Sequence, residues 1–333
     1  MTTVAWLTGS LLLVLYAAHL FTNGVEWLGK RLGFSHGLIG SVLAGVGTAL
    51  PETAIPVIAI LFRGDDQNMQ DVGVGAILGA PFMLATLTIP LLGAAILVLA
   101  FRKRREARFK LVPQFVRLDL SYFLVGYTLA IATAFMPVPA LRYAVAIFLL
   151  GLYGHYLWRL QRLDRAHVDA DELVPPLIFA PRAKRPGWGP IAAQVSAGLI
   201  GIIAGAHLFV DAVSLAAAAL AVPPLLLSLL ITPDATELPE KFNSLIWVYQ
   251  KKDSLAVANI TGAMVFQSTF PVAVGLIGTP WLLNWHGLTT GISALVAAAG
   301  YLALLRWRGA WGPREVMLGV LLYIGFAVAL LIF

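Results

Sequence analysis

Apolar runs of roughly 20 residues, the length that a bilayer's hydrocarbon core demands, recur at about 4–29, 36–62, 70–101, 118–135, 138–160, 189–217, 223–249, 255–281, 286–305 and 313–333. No other feature constrains the fold so strongly. Inside a membrane every backbone N–H and C=O must be satisfied within the segment, so runs of this length fold as helices. The expectation is an all-α integral membrane protein of about ten transmembrane helices, with the lipid bilayer as its solvent. Composition agrees: 59% of residues are hydrophobic, 12% are charged, and the mean hydropathy is +0.84. Those values lie far outside the range of water-soluble domains. The first run is followed directly by Lys30 and Arg31 and lacks the short core and small-residue cleavage site of a signal peptide, so it reads as a retained helix.

The charges are distributed one-sidedly. If the spans alternate in direction, most of the 23 Lys and Arg residues fall on one face, around Lys30 and Arg31, between Arg102 and Arg117, between Arg159 and Arg185, at Lys251 and Lys252, and from Arg306 to Arg314. The net charge of +6 is therefore a topology signal rather than a nucleic-acid surface. The positive-inside rule makes that face cytoplasmic and puts both termini outside. A bacterial or archaeal inner membrane is the expected location. With no cysteine, disulfides, thiolate metal sites and thiol catalysis are excluded. Residues 161–188 are polar and Pro-rich and read as a linker. The chain divides into a first half over 1–135, a connecting part over 136–188 with the fifth helix and the cytoplasmic linker, and a second half over 189–333.

Those halves are related. Residues 18–52, AHLFTNGVEWLGKRLGFSHGLIGSVLAGVGTALPE, align without a gap to 206–240, AHLFVDAVSLAAAALAVPPLLLSLLITPDATELPE. Identities gather at the ends: Ala18, His19, Leu20 and Phe21 against Ala206, His207, Leu208 and Phe209, then Thr48, Leu50, Pro51 and Glu52 against Thr236, Leu238, Pro239 and Glu240. Further on, Gly79-Ala80 matches Gly262-Ala263. Five spans, an odd number, separate the copies, so the second enters the membrane from the opposite side. That is an inverted-topology repeat, whose substrate site is expected near the midplane where the halves meet.

The repeated segment carries chemistry. Gly45-Val46-Gly47-Thr48-Ala49-Leu50-Pro51-Glu52 in the second span and Pro233-Asp234-Ala235-Thr236-Glu237-Leu238-Pro239-Glu240 in the seventh place prolines in mid-membrane, where a missing donor and a steric clash break a helix. Helices 2 and 7 are expected to be broken, freeing carbonyls that are tolerated at membrane depth where they line a site. An ionised Glu in lipid costs at least a few kcal/mol, so Glu52 and Glu240 must be neutral, paired or neutralised by a bound cation. Two carboxylates with the oxygens of Thr48 and Thr236 suit a hard cation. Calcium, which accepts six to eight oxygens in flexible geometry, fits better than magnesium.

With those two motifs, the chain resembles the calcium/cation antiporter superfamily, especially its sodium/calcium exchangers, whose signature is Gly-Thr-Ser-Leu-Pro-Glu in each of two alpha repeats. The resemblance covers about 16–100 and 204–285. It implies alternating access, an ion site formed by spans 2, 3, 7 and 8, and spans 1 and 6 sliding as a gating pair that carries His19, Asn23, His207 and Asp211. By resemblance the central calcium site falls to Glu52, Glu240 and the carbonyls of Thr48 and Thr236. This sequence departs from the pattern at the surrounding polar groups. The signature serines are Ala49 and Glu237, the third span reads Gly79-Ala80-Pro81-Phe82-Met83-Leu84, and the eighth reads Gly262-Ala263-Met264-Val265-Phe266-Gln267, with an amide where an acid is usual.

Two carboxylates are gained, Asp234 and Glu237, spaced to share a helical face with Glu240. Such a cluster cannot ionise completely, so it is a candidate proton carrier, unless the two acids face an aqueous vestibule or pair with Lys241. Gln267 and Asn259 are further candidate ligands. The leading expectation is a secondary antiporter exchanging calcium for sodium, with proton coupling as the alternative counter-ion. A channel and a non-transporting ion binder stand behind it. The partners are inorganic cations and lipid, with no nucleic acid and no evident protein partner, and no cofactor is expected. No Ser/Lys or Asp pair sits in a recognised catalytic motif, so the chain does not read as an enzyme.

Overall fold

The computed structural model describes residues 2–32, 50–62, 66–136, 138–164 and 175–332. Among them every regular element is helical. The first half comprises α1 (Thr2–Arg31), α2 (Leu50–Val57) continuing into a π turn over Ile58–Phe62, and α3 (Gln67–Met83), a π turn over Leu84–Thr88 and α4 (Ile89–Phe101) in one line. Then come α5 (Pro113–Thr133) and α6 (Pro139–Asp164). The second half comprises α7 (Trp188–Leu220), α8 (Pro224–Thr236), α9 (Leu238–Tyr249), α10 (Asp253–Gln267), α11 (Phe270–Gly278), α12 (Trp285–Arg308), α13 (Pro313–Met317) and α14 (Gly319–Ile332). The fifth helix runs four residues past the expected end of its apolar run, into the polar stretch.

Seven described helices are long and apolar enough to cross a membrane unaided, and Pro51–Phe62 and Pro224–Pro233 are shorter apolar pieces. The shortfall from ten has a local cause. The seventh span is interrupted at Glu237, between Pro233 and Pro239, and the tenth at Leu318. The eighth also breaks, at Ser268 and Thr269, which hydropathy does not signal. The stretch in which the second span was expected to break, including Thr48, lies outside the described residues.

The packing repeats with the halves exchanged. Span 3 packs on span 7 (α3 on α8), and span 8 packs correspondingly on span 2 (α11 on α2). Span 4 meets span 8 (α5 on α10) as span 9 meets span 3 (α12 on α3), and span 5 meets span 8 (α6 on α11) as span 10 meets span 3 (α13 on α4). Spans 1 and 6 (α1 and α7) pair with each other, as do spans 4 and 9. This is the contact pattern of two five-helix repeats about a pseudo-twofold axis, and the protein is an integral membrane protein of that inverted architecture.

Small residues set the closest approaches. A Cβ on Gly198 of α7 would lie 2.7 Å from the Phe21 backbone nitrogen of α1, and one on Gly79 of α3 would collide with the Leu229 carbonyl of α8. In lipid, where apolar burial gives helices little reason to associate, such contact is what holds them together. Two large polar side chains of the core find carbonyl partners: the Trp281 indole donates to the Ala130 carbonyl at 2.9 Å, and the Tyr301 hydroxyl to the Ala85 carbonyl at 2.7 Å, within the π turn.

The basic loops meet at one end. Arg105, after α4, forms an ion pair with Asp253 at the start of α10, Arg104 donates to the Tyr249 hydroxyl at 2.6 Å, and the Phe109 amide reaches the Trp311 carbonyl. The loops after spans 3, 7 and 9 thus lie together, as the charge pattern required. Arg142, outside the basic clusters, donates instead to the Thr279 carbonyl, by the loop joining spans 8 and 9. The end of the 161–188 stretch is tied down: Asn23 and Trp27 of α1 donate to the Pro175 carbonyl, and Arg31 to the Pro186 carbonyl at 2.7 Å.

Candidate functional site

Proline geometry builds the second half of the site. Pro233 inside α8 and Pro239 at the start of α9 both lack the amide hydrogen of a continuous helix. Between them Glu237 leaves the helical conformation, with φ −82° and ψ 2°. Its amide still reaches the Pro233 carbonyl at 2.9 Å, and its carbonyl accepts from the Lys241 amide at 3.0 Å, so the interruption is a single residue wide. Glu240 falls in the first turn of α9, after the interruption at Glu237, and Glu52 lies in the described part of α2, each as the third residue of a Leu-Pro-Glu. A helix N-terminus favours an anion, because its unpaired amides and macrodipole point positive charge there.

The carboxylates are buried. Glu52 is 5% exposed, Glu240 4%, Glu237 0%, Lys241 7% and Gln267 2%. Glu52 feels the charge of Glu240 first, then that of Glu237 and of Lys241, so the acids of the two inverted copies face one locality. Its Oε2 has no hydrogen-bond partner among the described residues, nor has Oε1 of Gln267. Gln267 donates through its amide to Glu237 Oε1 at 3.5 Å. Lys241 Nζ lies 3.7 Å from Glu237 Oε2, one turn along the chain. Glu237 is thus held between an amide and an ammonium.

Of the remaining candidate ligands, Thr236 is fully buried as the last residue of α8, and its hydroxyl donates to the Thr232 carbonyl at 2.9 Å. Asn259 serves the scaffold instead, since its amide donates to the Glu240 carbonyl at 3.4 Å and the Ser244 hydroxyl at 3.1 Å, bracing α9 on α10. Thr48 and the side chain of Asp234 lie outside the described residues. Leu84 is fully buried and Ala80 nearly so. Among the described residues no three His, Cys, Asp or Glu side chains are spaced to hold a metal ion by themselves.

His19 is exposed, while His207 sits edge-on to Phe62 with ring centroids 6.3 Å apart. Asn23 is committed to the connecting segment and to Gln194, whose amide donates to its side-chain oxygen at 2.9 Å. Sequence reasoning missed two polar groups of the core. Ser228 of α8 donates to the Val72 carbonyl of α3 at 2.6 Å and meets Thr232 at 3.1 Å, latching the broken span 7 to span 3. Asp119 of α5 is buried and accepts from Thr261 of α10 at 2.5 Å and from Tyr156 of α6 at 3.0 Å. An acid in an apolar run was the available signal for the second. Its partners, on two distant spans, were not.

A family model described as sodium/calcium exchanger protein matches residues 2–160 and 191–333. The chain is 26% identical over 327 residues to the inner membrane protein YrbG of Escherichia coli, covering 97% of this chain and 94% of that one. In fold it is similar to the H+/Ca2+ exchanger CAX, with a TM-score of 0.71 at 16% identity over 99% of this chain and 82% of that one. It is also similar to the sodium-calcium exchanger NCX_Mj soaked with sodium and strontium, with a TM-score of 0.61 at 18% identity over 98% of each chain.

Proposed function

The chain belongs to the sodium/calcium exchanger protein family, and from that premise we propose that it is a secondary cation antiporter carrying Ca2+ by alternating access, with Glu52 and Glu240 as the carboxylates of a midplane site. One observation carries the reading. Two buried glutamates, each third in a Leu-Pro-Glu and each from one inverted copy, face one another electrostatically, and Glu52 keeps a carboxylate oxygen free of any described donor. Such a pair is costly in a membrane without a cation. With carbonyls from the breaks it gives the oxygen-rich, adaptable environment that calcium prefers. Thr236 and, by sequence symmetry, Thr48 supply such carbonyls, while Gln267, Glu237 and Asp234 form the flank of the site. The family is one of ion exchangers, not of enzymes.

The counter-ion in this reading is Na+, following the family. A specific observation favours H+ as a second reading. Where the sodium exchangers are expected to have polar ligands, this chain has the buried apolar side chains of Ala80 and Leu84, while a third buried carboxylate, Glu237, is added. Fewer oxygens for sodium and an extra acid suit protonation. The α1–α7 pair, interlocked through small residues, is suited to move as one body against the rest. The end bearing Arg104, Arg105 and Lys251 is assigned to the cytoplasm, which puts the termini outside.

The test is calcium uptake into proteoliposomes under an outward sodium gradient at equal pH, and then under an outward proton gradient without sodium. Uptake in the first, lost in Glu52→Gln and Glu240→Gln, is the expected result. Uptake in the second alone selects the proton reading. Uptake in neither, with calcium on one side, overturns the function proposed.

A further inference from the structure

Spans 3 and 7, one from each half, come together at the cytoplasmic end, where α4 packs on α9. A cleft of about 320 Å3 opens beyond their last turns, lined by Leu99, Arg104, Arg105, Tyr249 and Lys251. Donors dominate it. The carboxylate of Asp253 is committed to both terminal nitrogens of Arg105 and to the Lys110 amide, and Arg105 Nε is buried without a hydrogen-bond partner among the described residues. Arg104 donates to the Tyr249 hydroxyl at 2.6 Å, which leaves that hydroxyl its own proton to donate. Among the described residues neither Arg104 nor Lys251 forms an ion pair. The cleft therefore presents positive charge with unused N–H and O–H groups, the recognition chemistry of an acceptor-rich anion.

The backbone keeps lysine here against its preference. Both helices end alike: the Arg104 amide returns to the Leu99 carbonyl at 2.9 Å, and the Lys252 amide to the Trp247 carbonyl at 2.8 Å. The residue before each, Lys103 and Lys251, lies in the left-handed region at φ +55° and +63°. Glycine is the usual residue at that position, because a side chain is strained there. A helix C-terminus attracts a cation, which accounts for one lysine at either end but not for Arg104 and the Tyr249 proton beside them. The flank of the cleft is apolar. Tyr249 shares a helical face with Ile246 and Phe242, which are 52% and 60% exposed, and Val98 and Phe101 stand exposed on either side of Leu99. Along spans that cross a membrane, those exposed side chains meet acyl chains.

We propose that this cleft binds the phosphate of an anionic phospholipid, with Arg104, Lys251 and the Tyr249 hydroxyl on the phosphate oxygens and the acyl chains along the exposed apolar faces of α9 and α4. A guanidinium fork matches two phosphate oxygens, and an ammonium serves as a point charge for another. Basic pockets between helices at the cytoplasmic leaflet meet anionic lipid there. Soluble phosphate offers the same oxygens but leaves the apolar flank without a partner, so the lipid is the occupant that uses the whole surface. A zwitterionic lipid sets its own ammonium against Arg104 and Lys251. The bound lipid bridges one span of each half, and none of its contacts involves the calcium site proposed above.

The experiment is native mass spectrometry of the purified full chain titrated with phosphatidylglycerol, with phosphatidylcholine as the zwitterionic comparison and inorganic phosphate as the competitor. The expected result is preferential binding of phosphatidylglycerol, weakened about 30-fold in Arg104→Gln/Lys251→Gln, or about fivefold for each basic residue. Tyr249→Phe, which keeps the charge and the ring, should weaken it about tenfold, the worth of one hydrogen bond to a charged group. The double variant Arg182→Gln/Lys184→Gln, on the segment tied to α1, removes the same charge and should change affinity by no more than about twofold, because exposed charges acting from a distance are screened. Equal weakening in the two double variants overturns the site in favour of diffuse attraction, and so does unchanged binding in Y249F. Equal retention of phosphatidylcholine overturns the anionic selectivity. Displacement of the lipid by millimolar inorganic phosphate overturns the lipid as occupant and gives the cleft to soluble phosphate.

Discussion

The two copies of the repeat have kept the same skeleton and diverged in chemistry. In span 7 and the facing span 8 of the second half, buried polar residues form two groups, Lys241–Glu237–Gln267 and Ser244–Asn259 with the Glu240 carbonyl. In the first half, residues 41–62 carry Glu52 as their one charged residue, and span 3 has Ala80 and Leu84 where the resemblance expects polar groups. In the function proposed, inverted duplication needs only that each half bring one carboxylate to the midplane. The remaining ligands are free to drift to one side, because an ion between two halves is indifferent to which half supplies an oxygen. Charge tuning has accordingly gathered on the second half.

That asymmetry can be broken or sharpened experimentally. The largest effect is expected from Glu52→Gln and Glu240→Gln, each reducing calcium uptake in proteoliposomes by about 100-fold or more, since losing a buried charged ligand costs several kcal/mol. If E52Q retains uptake and E240Q does not, the site belongs to the second half alone. Next, Gly79→Val forces a side chain into the Leu229 carbonyl. It should lower the unfolding free energy by about 1–3 kcal/mol, seen as a lower melting temperature of the detergent-solubilised protein, because the close contact of spans 3 and 7 brings the first half to these polar groups. Gln267→Leu removes the amide from Glu237 and should weaken calcium affinity by about tenfold, the worth of one hydrogen bond to a charged group. An equally large effect of Leu84→Ala would show the apolar side to matter as much.

Smaller changes probe the scaffold. Asp119→Ala leaves the Thr261 and Tyr156 hydroxyls without their shared acceptor. It should cost about 1–3 kcal/mol of stability while calcium affinity, measured by binding to the purified protein, stays within about twofold. His19→Gln, at an exposed position, should leave uptake rate and its pH profile unchanged, and a shifted profile would give the first half a protonic role that its geometry does not suggest.

Much of this was legible in the residues. Hydropathy and the gapless repeat require about ten helices in two inverted halves, because a bilayer leaves the backbone few alternatives and an odd separation of copies reverses their direction. Leu-Pro-Glu repeated in both copies marked Glu52 and Glu240, since proline and an acid at membrane depth are each costly and their recurrence is not accidental. The one-sided charge identified the loops that meet at Asp253 and Trp311. The break in span 8 at Ser268 and Thr269 does have a signal in the residues, Pro271 just after it, whose ring disrupts the preceding turn, although hydropathy runs straight through. Tertiary structure alone decided the rest. The commitment of Asn259 to the Glu240 backbone, the pairing of Lys241 with Glu237, and the meeting of Asp119 with Thr261 depend on which helix faces bring polar groups within reach of one another. Hydropathy varies over a whole span, whereas a hydrogen bond or ion pair is set by small rotations and translations of a helix. The residues alone require that these polar groups be satisfied, and only packing determines by whom.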